Sequence, residues 1–500
     1  MMGGELPKGW VKHTLEAVCL KPQYGWTTKA KVDGDIHLLR TTDITSGSID
    51  WKTVPYCTDA PDKLRKYLLR DGDIVVSRAG SVGCSILVDS PPKSVFASYL
   101  IRFLPLIDKK YTALFLQSPS YWSAISEKSS GIALLNVNAN KLGSIELPIP
   151  PLPEQKRIVA KIEELFSDLD AGVETLKQIQ VLIKRYRQSV LKSAFEGKLT
   201  KEWREKNKAK LEPASVLIER IRLNRLQLIK FGKLRKARER PQPVSCDDLK
   251  RLPEQWIWGQ IENYSALENN AIVDGPFGSN LKLTDYSDDG IYPVISISNI
   301  DKGYDLNTLR KITEVKYQEL KRSTIRSGDI LVAKIGSSYG KIGIYPSDMP
   351  DGIIPANLLK ITVNIEMPWR YLFYYLKSLT FKMFLDLIVQ YTAQPAFNVS
   401  KFKLLPIPIP PVTEQHIIVE EIETCFSVAD KIEEIVEQSL KQSQRLRQSI
   451  LKRAFEGKLV PQDPRDEPAE TLLERIREEK LKSGKARPEK KSRRRKTSHE

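Results

Sequence analysis

Histidine and cysteine are scarce in this chain, and their spacing excludes whole classes of site. Four histidines (His13, His37, His416, His499) and five cysteines (Cys19, Cys57, Cys84, Cys246, Cys425) are scattered over 500 residues. There is no HExxH and no CxxC pair, so no metal site is expected, and the thiols read as a reduced set suited to a cytoplasmic protein. No stretch approaches the roughly 18 to 20 consecutive apolar residues of a membrane span. Met1 to Trp10 lacks the apolar core of a secretory signal. A cytoplasmic location with no membrane partner is therefore expected. The GxxxxGK[ST] loop that cradles nucleotide phosphates is missing as well. RAGSVG, from Arg78, and KIGSSYG, from Lys334, are glycine turns without that spacing.

What is present is positive charge. The formal net charge is +17, with 41% hydrophobic and 28% charged residues. The composition suits globular cores, and the length suits roughly two to four domains. The charge favours a polyanionic partner. A run of Lys490, Lys491, Arg493, Arg494, Arg495 and Lys496 near the end supplies part of it.

An internal duplication organises the rest. PIPPLPEQKRIVAKIEELFSDLD begins at Pro148 and PIPPVTEQHIIVEEIETCFSVAD at Pro408, an offset of 260 that holds without gaps to RQSVLKSAFEGKL and RQSILKRAFEGKL. About half of these aligned positions are identical, which is the mark of a repeat. Looser matches extend it. LPKGW at Leu6 pairs with LPEQW at Leu252, and LLRTTDI, ending at Ile44, with VISISNI, ending at Ile300. DGDIVVSRAGSVG from Asp71 pairs with SGDILVAKIGSSYG from Ser327, and EPASVLIERIR at Glu212 with EPAETLLERIR at Glu467. The helical parts are alike and the domains share only landmarks, so the helices do one job twice while the domains do analogous jobs on different targets.

The fold class expected is α+β: two globular domains, mostly β with some helices, joined by two long antiparallel coiled-coil helices in a pseudo-twofold repeat. DIVVSRAG with SILV, and DILVAKIG with IGIY, read as strand, turn and strand. TALFLQSPSYWSAIS and WRYLFYYLKSLTFKMFLDLIV read as helices. Proline fixes the hinge PIPPLPEQ in an extended form, and a helix follows from near Glu154. Its apolar residues Ile158, Ile162, Leu165, Leu169, Val173, Leu176, Ile179, Ile183, Tyr186 and Val190 step by threes and fours, a heptad seam. Ile418, Ile422, Cys425, Ala429, Ile432, Val436, Ser439, Ser443, Leu446 and Ile450 repeat it, with polar positions that call for a partner helix. About 42 residues at 1.5 Å each would make a rod of roughly 60 Å. Gly197 and Gly457 are natural C-caps. Lys184, Arg185, Arg187, Arg445 and Arg447 on the rod suit either a solvated face or contact with a partner or DNA. The boundaries expected are 1–147 for the first domain, 148–205 for its hinge and long helix, and 206–250 for a short helix and basic linker. The second domain follows at 251–407, its hinge and helix at 408–460, and a short helix with a basic tail, expected to be disordered, at 461–500.

In these features the chain resembles the specificity (S) subunit of type I restriction–modification systems. The matching residues are the PIPPLPEQ and PIPPVTEQ hinges, the paired AFEGKL helix ends and the SGDI-type strand starts. GPFGSNLK at Gly275 with its weaker counterpart YGWTTKAK at Tyr24, and Asn138 and Asn398 ahead of the hinges, complete the set. The resemblance spans residues 6 to 475. It implies two target-recognition domains, each reading one half of a bipartite site on double-stranded DNA. The helices would set the unread spacer and dock two methyltransferase (M) subunits that flip the target adenine, and motor–nuclease restriction (R) subunits would join them. No catalytic residue or cofactor is expected in the chain itself. The [DN]PP[FY] loop that holds an adenine amine is absent, and in GPFG a glycine precedes Pro276-Phe277.

Candidate DNA contacts follow from the matched landmarks. Arg78 and Lys334 sit at equivalent positions of a hairpin, where Arg or Lys can pair with guanine. Ser81, Ser337, Ser338 and Tyr339 lie in the same turns. Thr41, Thr42, Ser298 and Asn299 belong to the other matched landmark. Lys29, Lys31 and Lys282 follow the YG and FG turns and suit phosphates, which give register without sequence. The same landmarks would also suit a common scaffold whose reading residues lie elsewhere. A scaffold whose two domains bind proteins, and an enzyme with an unrecognised site, stay open on the residues alone.

Overall fold

Short runs of β-branched residues, each ended by glycine, build the same small sheet twice. The computed structural model describes residues 6–129, 136–236, 251–276, 278, 280–391 and 394–485. They fall into two compact units, Met1–Lys177 with Glu437–Glu500, and Gln178–Val436. The long helices Leu152–Phe195 and Val412–Phe455 each contribute one part to each unit.

In the first unit a four-stranded sheet runs Gln23–Tyr24, Leu100–Phe103, Ile74–Ser77, Ser85–Leu87. Its two central strands are buried along their whole length, as expected of strands covered on both faces. A second sheet of Ala30–Lys31, Tyr56–Cys57, His37–Leu39 and Ser94–Phe96 includes one parallel pair, with His37 opposite Ser94. Helices Lys109–Phe115 and Pro119–Ser129 pack against the first of these sheets. The second unit repeats the first sheet in the same order: Ile272–Asp274, Leu358–Ile361, Ile330–Ala333, Ile342–Ile344. Trp369–Leu376 and Leu379–Ile388 are its helices.

The proline-rich segments are extended, as their composition dictates, yet they are paired strands rather than free hinges. Glu146–Ile149 lies antiparallel to Val11–Thr14, and Pro406–Ile409 to Ile257–Gln260. Two-stranded pairing leaves the proline nitrogens at an edge where no donor is required. The helices start at Leu152 and Val412, two residues ahead of the expected Glu154 position.

The EQ pair that follows is the hub of each unit. Trp10 Nε1 donates to Glu154 Oε2 at 3.1 Å, and Trp256 Nε1 to Glu414 Oε2 at 2.8 Å. Gln155 and Gln415 each donate back to a proline carbonyl, Pro150 and Pro410, at 2.9 Å. Tyr111 and Tyr371 hydroxyls donate to the Pro148 and Pro408 carbonyls at 2.8 Å. The LPxxW landmark is therefore an anchor for the start of the long helix.

Within each unit the start of one long helix lies beside the end of the other, in antiparallel order. In the first unit Arg157 pairs with Asp466 and Arg447 with Asp170. In the second, Arg187 meets Asp430 at 2.5 Å and Glu433 at 2.8 Å, while Arg204 meets Glu414 at 2.7 Å. Arg447 also lies over the Phe166 ring and Arg187 over Phe426. These two arginines thus serve the helix pair. Phe455 packs edge-on against Tyr111 and Phe115, and Phe195 against Tyr371 and Tyr375. The caps follow with φ of +69° at Gly197 and +67° at Gly457, a region glycine enters without strain. The seam holds at Ile158, Ile162, Ile183, Val190, Ile418, Ile422, Ala429, Val436 and Ile450, which are buried. Tyr186, Ile432 and Leu446 instead are exposed. A two-helix seam of this length drifts off its stripe, and beside Tyr186 and Ile432 the Arg187 ion pairs occupy the interface. Helices Ala214–Lys230 and Ala469–Lys485 follow the EPA motifs. The basic run from Lys490 to Lys496 and residues 237–250 of the expected linker lie outside the described residues.

Candidate nucleic-acid interface

In each unit the recurring four-stranded sheet ends at a lip formed by the turn after its buried central strand. In the first unit Ile74–Ser77 leads into a turn in which Gly80 and Gly83 have positive φ. Arg78 opens that turn. Its backbone N–H donates to the Tyr99 carbonyl at 2.9 Å. Its guanidinium lies 5.1 Å from the Tyr24 ring centre, and Nε reaches Asn136 Oδ1 at 3.4 Å. Tyr24 is fixed in turn, its hydroxyl accepting from the Ala139 N–H at 2.9 Å. Tyr24 is 40% exposed and Tyr99 60%, so the cluster faces water although its backbone is tied to the sheet. Ser81 is exposed at the turn.

In the second unit Lys334 takes the place of Arg78, donating its N–H to the Asn357 carbonyl at 2.8 Å. Its ammonium is held by Asp274 Oδ2 at 2.5 Å, and Arg322 reaches the other carboxylate oxygen at 3.2 Å. Ser337 is exposed at the crest of the turn and Ser338 half-buried. The Tyr339 hydroxyl donates to Asp386 Oδ1 at 3.1 Å, with the Tyr391 hydroxyl 3.2 Å away. Tyr391 is pushed up to about 12 by its bond to Tyr339, with burial adding to it. The Lys382 ammonium stands over the Tyr339 ring. Burial works against that charge, but bonds to Asp386 and Tyr339 hold its pKa above the ordinary lysine value.

The remaining candidates sit on different pieces of backbone. Thr41 and Thr42 open a short helical turn closed by Asp43, which accepts from the Arg40 N–H at 2.8 Å. Ser298 and Asn299 occupy the matching turn. There Asn299 Oδ1 accepts from the Ser296 N–H at 2.8 Å and from its hydroxyl at 2.7 Å. The side-chain oxygen of Asn299 thus builds the turn. Lys29 and Lys31 are exposed at the start of the second sheet. Lys282 is exposed where a short turn begins, with its N–H bonded to Asp285 at 2.6 Å.

One pair that the sequence reading missed explains the GDI landmark. Asp73 binds Arg102 at 3.1 Å, and Asp329 binds Lys360 at 3.2 Å, each pair nearly or fully buried. The carboxylates also accept from the Arg70 and Arg326 N–H groups at 3.0 and 2.8 Å. The aspartate shared by both copies of this landmark is therefore scaffold. No local signal names its partner, which lies one strand away.

Among the described residues no group of three or more His, Cys, Asp or Glu could hold a metal ion. No described helix is long and apolar enough to cross a membrane.

Two stretches of the chain, residues 7–185 and 278–442, match the type I restriction modification DNA specificity domain. The chain belongs to this specificity-domain family. Among curated specificity-family relatives, the type I restriction enzyme EcoBI specificity subunit of Escherichia coli is 28% identical over 468 residues, covering 90% of this chain and 87% of that one. The EcoKI specificity subunit of E. coli strain K12 is 26% identical over 509 residues, covering 97% and 98%. A structure from a study of complex assembly and conformational transition in the type I R-M system has a TM-score of 0.59 at 17% identity, covering 91% of this chain and all of that one. That likeness is one of fold.

Proposed function

We propose that the chain is the DNA sequence-specificity subunit of a type I restriction–modification complex. Each recognition domain, taken as 1–147 and 251–407, reads one half of a bipartite site. The observation that carries this reading is a constant scaffold with variable lips. The strand order and the buried ion pair recur in both units, while the side chains at the lip around Arg78 and Lys334 differ. A bipartite site with two different halves calls for such a duplicated frame. Arg78, Ser81, Lys334, Ser337, Ser338 and Tyr339 serve as groove contacts, with Thr41, Thr42, Ser298 and Asn299 on the neighbouring turns. Lys29, Lys31 and Lys282 hold phosphates. The long helices set the unread spacer and dock two M subunits, which supply catalysis by extruding the target base, and R subunits complete the restricting complex. Reads about one helical turn apart would keep both domains on one face of the duplex.

The test is to replace residues 1–147 with the corresponding domain of another member and determine the methylated motif of the assembled complex. One half of the motif should change and the other should persist. An unchanged motif would refute the assignment.

A further inference from the structure

Strand register aligns the two lips position by position. Gln23 faces Arg102 across the outer strand, and Val273 faces Lys360. Arg102 and Lys360 are counterparts, each bound to the aspartate of a GDI turn. The next residues, Tyr24 and Asp274, are therefore equivalent. Gly25 and Gly275 confirm the register. A Cβ on Gly25 would meet the carbonyls of Phe96 and Ala97, and one on Gly275 those of Ile354 and Pro355, all within 2.3 Å. Arg78 and Lys334 are tied through the backbone to Tyr99 and Asn357. Three backbone positions thus share one frame in both units, and all three change chemistry, from Tyr24, Arg78 and Tyr99 to Asp274, Lys334 and Asn357.

At the opposite end of the central strand, ahead of Ile74 and Ile330, both copies keep a buried aspartate paired with a cation. The frame is thus shared while the lip differs. The side chains at the lip are also poised for an outside partner. Arg78 lies against an aromatic ring and is bonded to Asn136 through Nε. That geometry steadies the planar fork that matches guanine O6 and N7. In the second unit the Asn357 side-chain oxygen is shielded from solvent and has no hydrogen-bond partner, a cost that a bound donor would relieve. Beside it, Asp274 and Lys334 offer an acceptor and a donor together. Carboxylates accept from cytosine N4, and lysine donates to guanine O6 and N7.

We propose that positions 24/274, 78/334 and 99/357 are the base-reading triplet of each recognition domain. Arg78, steadied on Tyr24 and flanked by Tyr99, takes a guanine in the first half-site. The Asp274–Lys334 couple, with Asn357, takes a C·G pair in the second. This rests on the specificity-subunit reading and names which side chains do the reading.

The test uses the full chain assembled with M subunits, methylating a randomised DNA library whose modified sites are then sequenced. Arg78→Gln should lower discrimination for guanine at one position of the first half by roughly 5- to 150-fold, the range of one bidentate contact, and leave the second half as it was. Asp274→Asn should relax one position of the second half alone. In each variant the untouched half reports that the molecule is folded and assembled. Arg78→Lys keeps a donor and the charge without the planar fork and should lower discrimination less than Arg78→Gln does. A sequence-independent weakening in Arg78→Gln would mark a phosphate contact and overturn the triplet. So would loss of all methylation in Arg78→Gln, or unaltered motifs in all three variants. A wild-type complex that yields no bipartite motif would instead overturn the underlying functional reading.

Discussion

Replacing Asp329 by alanine should be among the most damaging single changes in the second unit. The carboxylate is almost wholly buried and holds Lys360, which is equally buried, at 3.2 Å. Removing one partner of such a pair leaves an uncompensated charge and costs about 3–5 kcal/mol. Lys360 keeps a bond to the Thr362 hydroxyl at 2.7 Å. Arg102, in the matching position, keeps neutral acceptors at the Leu68 carbonyl, the Lys66 carbonyl and Gln23 Oε1. Each charge-assisted bond is worth roughly 1.5–3 kcal/mol, so Asp73→Ala should fall near the low end of the range and Asp329→Ala near the high end. Hydrogen exchange read by mass spectrometry on the full chain resolves the two units. Asp329→Ala should strip protection from Ile330–Ala333 and Leu358–Ile361 and spare the first sheet. Replacing both charges, as Asp329→Leu with Lys360→Met, should recover all but roughly 1–2 kcal/mol, the residue being the lost cap on the Arg326 N–H. A single variant losing less than about 1 kcal/mol, or a double variant as weak as the single, would refute the reasoning.

Phe455→Ala should cost about 3–5 kcal/mol, because Phe455 is buried between Tyr111 and Phe115; chemical denaturation checks this, and a loss under about 1 kcal/mol would contradict the packing. Burial pushes the Glu154 carboxyl above its usual range, and Trp10, Arg157 and Gln462 only partly offset it. A raised folded-state value means that folding takes up a proton, so this group adds stability as pH falls through its folded pKa and loses it as pH rises. Glu154→Gln should flatten that slope on the weakly acidic side of neutrality in thermal melts; an unchanged slope would contradict it. Lys29→Ala and Lys31→Ala should each reduce the salt dependence of DNA binding by about one unit of log–log slope, equally for all sequences; a sequence-selective effect in binding titrations would count against phosphate contact.

Much of the frame was legible because it depends on local chemistry. Alternating proline and isoleucine at Pro148–Pro151 permits extended chain alone, and the steps from Ile158 to Val190 permit a helix with one wet face. The duplication showed that both elements occur twice. The pairing of the proline segments was not legible, since Lys12 opposite Pro148 is a contact between residues far apart in sequence. The aspartates of the GDI landmarks stood out as a pattern, but their cations lie on a strand reached only after a hairpin and a loop. The lip shows the same limit. Arg78 and Lys334 were found by aligning turns, whereas Asp274 emerged only from strand register, one residue off the apparent match of YGWTTKAK with GPFGSNLK. Asn299 stood out only as part of a matched landmark, and the bonds by which its side-chain oxygen closes its own turn were not legible.

Two readers on one duplicated frame predict a particular form of recognised sequence. Sequencing the sites methylated by the wild-type chain assembled with M subunits measures it directly. Two short specified blocks separated by a run of unspecified base pairs are expected. A single uninterrupted motif, or methylation without regard to sequence, would contradict the account.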